Sequence, residues 1–137
     1  TATNFTLFGA IDDLWEDQDT GEYLVVDYKS TAKKDEVTAS NVWPGYWRQM
    51  EFYQYLLRGL GHEVSSLGYL VYANGDKSRP SFEGTLHFDM SLISRECDDS
   101  WVEDAVTSAR TVLQRGEPPP PGKNCPYCLY RIVEEGA

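Results

Sequence analysis

The sequence predicts a mixed α/β fold in the order strand, strand, helix, strand, strand, helix. Three observations carry this. Two windows repeat apolar residues at helical spacing. Four runs rich in β-branched and aromatic residues stand between turn-forming clusters. The chain is 137 residues long, which suits one domain.

The opening segment, NFTLFGAIDDLWEDQDTGEYLVVDYKS, reads as two strands joined by a turn at Asp17 to Gly21. The turn residues DQDTGE explain the reversal. A polar loop, TAKKDEVTASN, leads to WPGYWRQMEFYQYLLRGLG, which reads as a helix. Pro44 suits its first turn, and Gly59 and Gly61 suit its end. Tyr46, Met50, Tyr53, Leu57 and Leu60 form an apolar stripe that includes one polar member, Gln49.

EVSSLGYLVYANG and SFEGTLHFDM read as strands, with the turn NGDKSRP between them. SWVEDAVTSARTVLQRG is an amphipathic helix whose face is Trp101, Val102, Ala105, Val106, Ala109, Val112 and Leu113. Ser100 and Glu103 match a capping box, and Gly116 supplies the stop. The stiff spacer EPPPPG then approaches KNCPYCLYR. No internal repeat is present. The expected division is a core over residues 1–116 and a proline-rich, CxxC-bearing tail over 117–137.

A hydrophobic fraction of 41%, with 13% aromatics, is ample for one core. No apolar run approaches bilayer length and no signal-peptide pattern opens at Thr1, so a soluble, cytoplasmic protein with no membrane partner is expected. Lys+Arg 12 against Asp+Glu 22 gives a net charge of −10. This argues against a broad non-specific nucleic-acid surface. It leaves room for a focused site where a cation offsets local carboxylates. Three cysteines, an odd count, argue against a complete disulfide framework.

The run YLVVDYKST sets Asp27 and Lys29 two apart, hence on one face of a strand. GAID places Asp12 on the partner strand. If the strands pair, Asp12 and Asp27 converge at one sheet edge, as a hard divalent cation such as Mg²⁺ requires. A lysine beside them can hold a water and offset phosphate charge. Alone, DxK is equally a surface ion pair of little worth. Gln49 and Tyr53 share a helical face at spacing i, i+4. That pair can touch a water or phosphate, or simply pack. Trp43, Tyr46 and Trp47 offer either base stacking or a helix-entry cluster. His62 and His87 have no ligand partner at useful spacing.

Taken in order, Gly9-Ala10-Ile11-Asp12, Val25-Val26-Asp27-Tyr28-Lys29 and Gln49 to Tyr53 resemble the GxxD, DxK and QxxxY motifs of the RecB-like PD-(D/E)XK nucleases. That family includes nuclease domains of recombination helicase–nucleases and the CRISPR adaptation nuclease. The resemblance spans nearly the whole chain. It implies a restriction-endonuclease-like mixed sheet flanked by helices, and a Mg²⁺- or Mn²⁺-dependent deoxyribonuclease of exonuclease or DNA-repair type. Asp12 and Asp27 would be metal ligands, with the Tyr28 carbonyl as a third. Lys29 would position the water nucleophile, and Gln49 and Tyr53 would complete the site. DNA, single-stranded or with free ends, would be the partner.

The chain departs from the family pattern in two places. Family members usually carry a helix before the first strand, often with a site His or Glu, whereas this chain starts almost at the strand. The expectation is a fold lacking that helix, its site completed by another chain or a homo-oligomer. The rival reading is a non-catalytic remnant that binds DNA or protein. The second departure concerns clusters. Cys125 and Cys128 match two terminal ligands of iron–sulfur relatives, but Glu134 occupies the third position and no upstream cysteine precedes the motifs. A cluster needs four thiolates, so none is expected, and zinc is no better served.

Overall fold

The computed structural model describes residues 3–122 and 124–127. In chain order the elements are β1 (Asp13–Glu16), β2 (Tyr23–Thr31), α1 (Pro44–Gly59), β3 (Val64–Gly75), β4 (Phe88–Glu96) and α2 (Trp101–Gln114). The chain forms two compact units. One is Phe5–Val102, and the other combines the residues up to Asn4 with those from Glu103 onward.

The four strands form one sheet in the order β1-β2-β3-β4. β1 and β2 are antiparallel, β2 and β3 parallel, and β3 and β4 antiparallel. Antiparallel neighbours need only a turn. Between β1 and β2 that turn is closed by Gly21 N–H donating to the Asp17 carbonyl at 2.7 Å, with Gly21 at φ 73°. Parallel neighbours need a crossover, and α1 supplies it between β2 and β3.

α1 starts on Pro44 and ends where His62 N–H bonds the Leu57 carbonyl at 3.1 Å. Its inner side carries Trp47, Met50, Tyr53 and Leu57 into a core with Val25, Leu70, Tyr72 and Ile93. The approach to the sheet is close, since a Cβ at Gly68 would stand 2.7 Å from Met50 Cε. Gln54, fully buried, donates to the Ser65 carbonyl at 3.1 Å and lies near those of Ser66 and Leu67. Buried amides need such partners. Arg58 pairs with Asp99 at 2.6 Å and donates to the Val64 carbonyl at 2.9 Å.

The element order and the mixed sheet are as expected, and five details differ. β1 begins at Asp13, so Asp12 lies just ahead of the strand rather than on it. The last strand runs from Phe88 to Glu96, not over residues 81–90. Residues 81–87 turn instead, with Thr85 N–H bonding the Phe82 carbonyl and positive φ at Glu83 and Gly84. The α1 stripe shifts, because Leu60 is exposed while Trp47, Glu51 and Gln54 are buried. At the start of α2 no hydrogen bond joins the Ser100 hydroxyl to Glu103 among the described residues. Asp98 Oδ1 instead accepts Ser100 N–H at 3.0 Å. Only Val102 of the α2 apolar face is buried, and Leu113 is exposed. Periodicity says which residues share a face, not what that face meets. No helix among the described residues is long and apolar enough to cross a membrane.

Candidate active site

The site grows from a mismatch in strand length. β1 and β2 stay in register only to the pair Asp13–Val26. β2 continues beside β3 as far as the pair Thr31–Asn74. From Asp27 onward, the edge of β2 that faced β1 has no strand on it among the described residues. Asp12 takes that place: its Oδ2 accepts Tyr28 N–H at 3.1 Å. In a strand the N–H and C=O of one residue point to the same side, so the Tyr28 carbonyl faces the Asp12 edge as well.

Alternation along β2 turns Asp27 and Lys29 to the same face as Val25, which packs in the core under α1. Asp27 is 1% exposed. Its Oδ2 pairs with the Lys29 ammonium. Its Oδ1 is buried without a hydrogen-bond partner among the described residues. Burial is the main force on this carboxyl and raises its pKa above the ordinary value. Lys29 pulls it back in part, and the nearby Asp12 carboxylate adds a smaller push upward.

Lys29 is held from three directions. Besides Asp27, its Nζ donates to Gln49 Oε1 at 3.3 Å and stands 4.9 Å from the centre of the Tyr46 ring. Gln49 in turn donates through Nε2 to the Tyr53 hydroxyl at 2.8 Å. Asp27, Lys29, Gln49 and Tyr53 thus form one continuous polar chain from strand to helix. The i, i+4 spacing of Gln49 and Tyr53 makes their mutual bond possible.

The structure therefore brings together all the residues of the three motifs. It also adds two that the sequence reading did not place there. Tyr46 supports Lys29, and its position one turn before Met50 and Gln49 was the available signal. Asp13 accepts the Tyr28 hydroxyl at 2.6 Å and Trp15 Nε1 at 3.1 Å. The Tyr28 hydroxyl, with the Leu14 N–H and Trp15 indole, holds the Asp13 carboxyl below its ordinary value. Asp13 in turn raises the phenol of Tyr28. Asp13 pairs with Val26, so it lies on the sheet face opposite Asp27.

Of the three aromatic residues at the helix entry, Trp47 is buried at 2% exposure and donates to the Ala39 carbonyl. Trp43 is 65% exposed. It stands edge-on to Tyr46 at 5.4 Å, next to the ring that underlies Lys29. Its indole lies over Gly45, where a Cβ would come within 2.2 Å of the ring. His62 packs edge-on against Tyr23, and His87 is exposed.

As a donor set for a metal, the cluster offers two carboxylates and a strand-edge carbonyl, all oxygen. Among the described residues no group of three or more His, Cys, Asp or Glu gathers into a cage. Hard oxygen donors few enough to leave waters in place suit Mg²⁺ or Mn²⁺. The unpartnered Asp27 Oδ1 is the specific feature that fits such an ion, since a buried carboxylate oxygen otherwise lacks compensation. Cys97 is buried beside Gly68 and Met50, and its thiol is pushed up to about 11, chiefly by burial. Cys125 N–H bonds the Gly122 carbonyl at 3.1 Å. Cys128 and Glu134 lie outside the described residues.

A family model described as the PD-(D/E)XK nuclease superfamily matches residues 2–133. No curated protein and no solved structure matches the chain.

Proposed function

The chain belongs to the PD-(D/E)XK nuclease superfamily, and from that premise we propose that it is a RecB-like deoxyribonuclease using Mg²⁺ or Mn²⁺. Its four-stranded mixed sheet with two helices is the restriction-endonuclease-like fold of that superfamily. The observation that carries the proposal is the convergence of Asp12, Asp27, Lys29, Gln49 and Tyr53 around the open edge of β2.

Asp12 and Asp27 would hold the ion, with the Tyr28 carbonyl beside them. When bound, the ion supplies Lewis-acid stabilisation of phosphoryl charge and lowers the pKa of water. Lys29 holds a fixed positive charge within reach of the same place. That charge can orient a water for attack and offset negative charge on the phosphoryl oxygens as it develops. Gln49 and Tyr46 keep the ammonium from swinging into solvent, and Tyr53 orients Gln49 by accepting its amide. These are positioning roles. The exposed indole of Trp43, seated on Gly45 beside Tyr46, supports a single-stranded substrate or a frayed end, because base stacking on an aromatic needs an unpaired base.

The test is cleavage of end-labelled single- and double-stranded DNA in Mg²⁺, Mn²⁺ or no divalent ion, with calorimetric titration of the same ions. The proposal expects metal-dependent cleavage and loss of both readouts in Asp27→Asn. Stoichiometric metal binding without cleavage would instead identify a binding module that keeps the fold.

A further inference from the structure

Beyond the motif residues, a cavity of about 380 Å³ opens where the loop after β2 meets the end of β3. Its lining includes Lys33, Lys34 and Lys77, with Asn74, Asp76 and Asp89. Three lysines in one lining outnumber its two carboxylates, in a chain whose net charge is −10. A lining with an excess of positive charge attracts anions. Asp76 is paired with Arg79 and accepts Ser78 N–H and Oγ, which leaves Asp89 as the carboxylate of the lining set against three lysines. Lys34 and Lys77 are exposed and make no ion pair among the described residues.

The cleft is also rigidly built. Asn74 Oδ1 accepts Lys33 N–H at 2.8 Å, while Asn74 Nδ2 donates to the Lys33 carbonyl at 3.0 Å. That two-bond clamp ties the lysine loop to β3. Lys33 Nζ donates to the Asn41 carbonyl at 3.1 Å, which ties it to the turn before α1. Lys33 follows Lys29 by four residues, about 13 Å of extended chain.

We propose that this cleft is a second phosphate site, which takes a backbone phosphate of the nucleic-acid strand flanking the scissile bond. The inference rests on the nuclease reading. It adds the direction the strand takes, from the open edge of β2 towards the C-terminal ends of β2 and β3. Lys34 and Lys77 make the direct phosphate contacts, and Lys33 contributes through its fixed charge.

The experiment is fluorescence anisotropy of the full chain with a fluorescein-labelled oligothymidylate in Ca²⁺, over a series of KCl concentrations. Lys34→Gln and Lys77→Gln are the variants, both at exposed positions whose side chains make no bond among the described residues. Arg95→Gln is the charge-matched control, on β4 six residues from Asp89, about 20 Å away along the strand. For each lysine variant the slope of log K against log salt should become shallower by about 0.7, the single-strand value for one lost phosphate contact. The control slope should equal that of the wild type. Wild-type binding with equal slopes in all three variants would overturn the cleft and leave the nuclease reading intact. Absence of salt-dependent binding in the wild type would overturn both.

Discussion

Gly9 lies against the ring of Tyr53, so that a Cβ at position 9 would stand 2.6 Å from Tyr53 Cε1 and 3.0 Å from Cδ1. Tyr53 is 8% exposed, which leaves its ring little room to retreat. The glycine precedes Asp12 on the segment that closes the open edge of β2. The tyrosine anchors Gln49, and through it Lys29. Gly9 and Tyr53, 44 positions apart, thus join two motifs as backbone against ring, which explains why the first motif begins with glycine.

Gly9→Ala should therefore disturb the site without removing any polar group from it. Overpacking of this kind costs about 1–3 kcal/mol, so the melting temperature should fall. Turnover should fall with it, while Tyr53→Phe, which keeps the ring and loses only the Gln49 acceptor, should slow turnover with little change in stability. Paired melting curves and cleavage rates check both. A Gly9→Ala protein with unchanged melting and rate would show that the ring moves freely.

Asp27→Asn separates metal binding from folding. The raised pKa of Asp27 means that the metal-free fold destabilises its carboxylate form relative to the unfolded chain. Its contribution to stability is full below the ordinary carboxylate pKa and declines as pH rises through the raised value. Asparagine removes that decline, so at pH 7 the metal-free variant should melt no lower than the wild type. Calorimetry should find Mg²⁺ and Mn²⁺ binding abolished. Cleavage should drop by about 10³-fold or more, consistent with the several kcal/mol a bound ion supplies. A variant that binds the ions normally would remove Asp27 from the ligand set.

Lys29→Met tests whether the ammonium acts on the substrate or only on Asp27. Lys29 lowers the pKa of Asp27 against the upward push of burial. Without it the acid should ionise at higher pH still, so metal affinity should fall off earlier on acidification than in the wild type. At pH 8 the affinity should change little, because an ammonium is no ligand. Turnover should nevertheless fall by about 10²–10³-fold, the usual cost of losing one fixed charge or donor at a transition state. Metal affinity lost at every pH would make Lys29 structural.

Cys97 should behave as a core residue. With its thiol near pKa 11 and buried, almost no thiolate exists at pH 8. Iodoacetamide should leave Cys97 unmodified in the native protein and label it after unfolding, as read by peptide mass spectrometry. Its raised pKa also sets a sign for stability: the contribution is full below the unfolded thiol value and is lost as pH climbs from about 9 to about 11. Rapid native labelling of Cys97 would contradict its packing beside Met50 and Gly68. Anaerobically purified protein should hold no stoichiometric iron or acid-labile sulfide, the expectation set by the mismatch at Glu134.

The order of elements, the helical span from Pro44 and the three motifs were legible in the sequence because each depends on neighbours in the chain. Turn chemistry at Asp17 to Gly21, the proline at the head of α1 and the i, i+4 pair Gln49–Tyr53 act over a few residues. The start of the last strand is not legible there, because local apolar content in SFEGTLHFDM outweighs the turn at Glu83 and Gly84, whose positive φ angles belong to three-dimensional geometry. Whether Asp27 and Lys29 formed a surface pair or a buried one could not follow from their spacing, since alternation names a face and not its cover. Only tertiary structure laid α1 over that face, stopped β1 at Asp13 and left the edge of β2 to Asp12. It also put Tyr46 beneath Lys29 and Tyr53 against Gly9, and gathered Lys33, Lys34 and Lys77 around one cleft. Those contacts join residues distant in sequence, and long-range packing rather than local propensity fixes them.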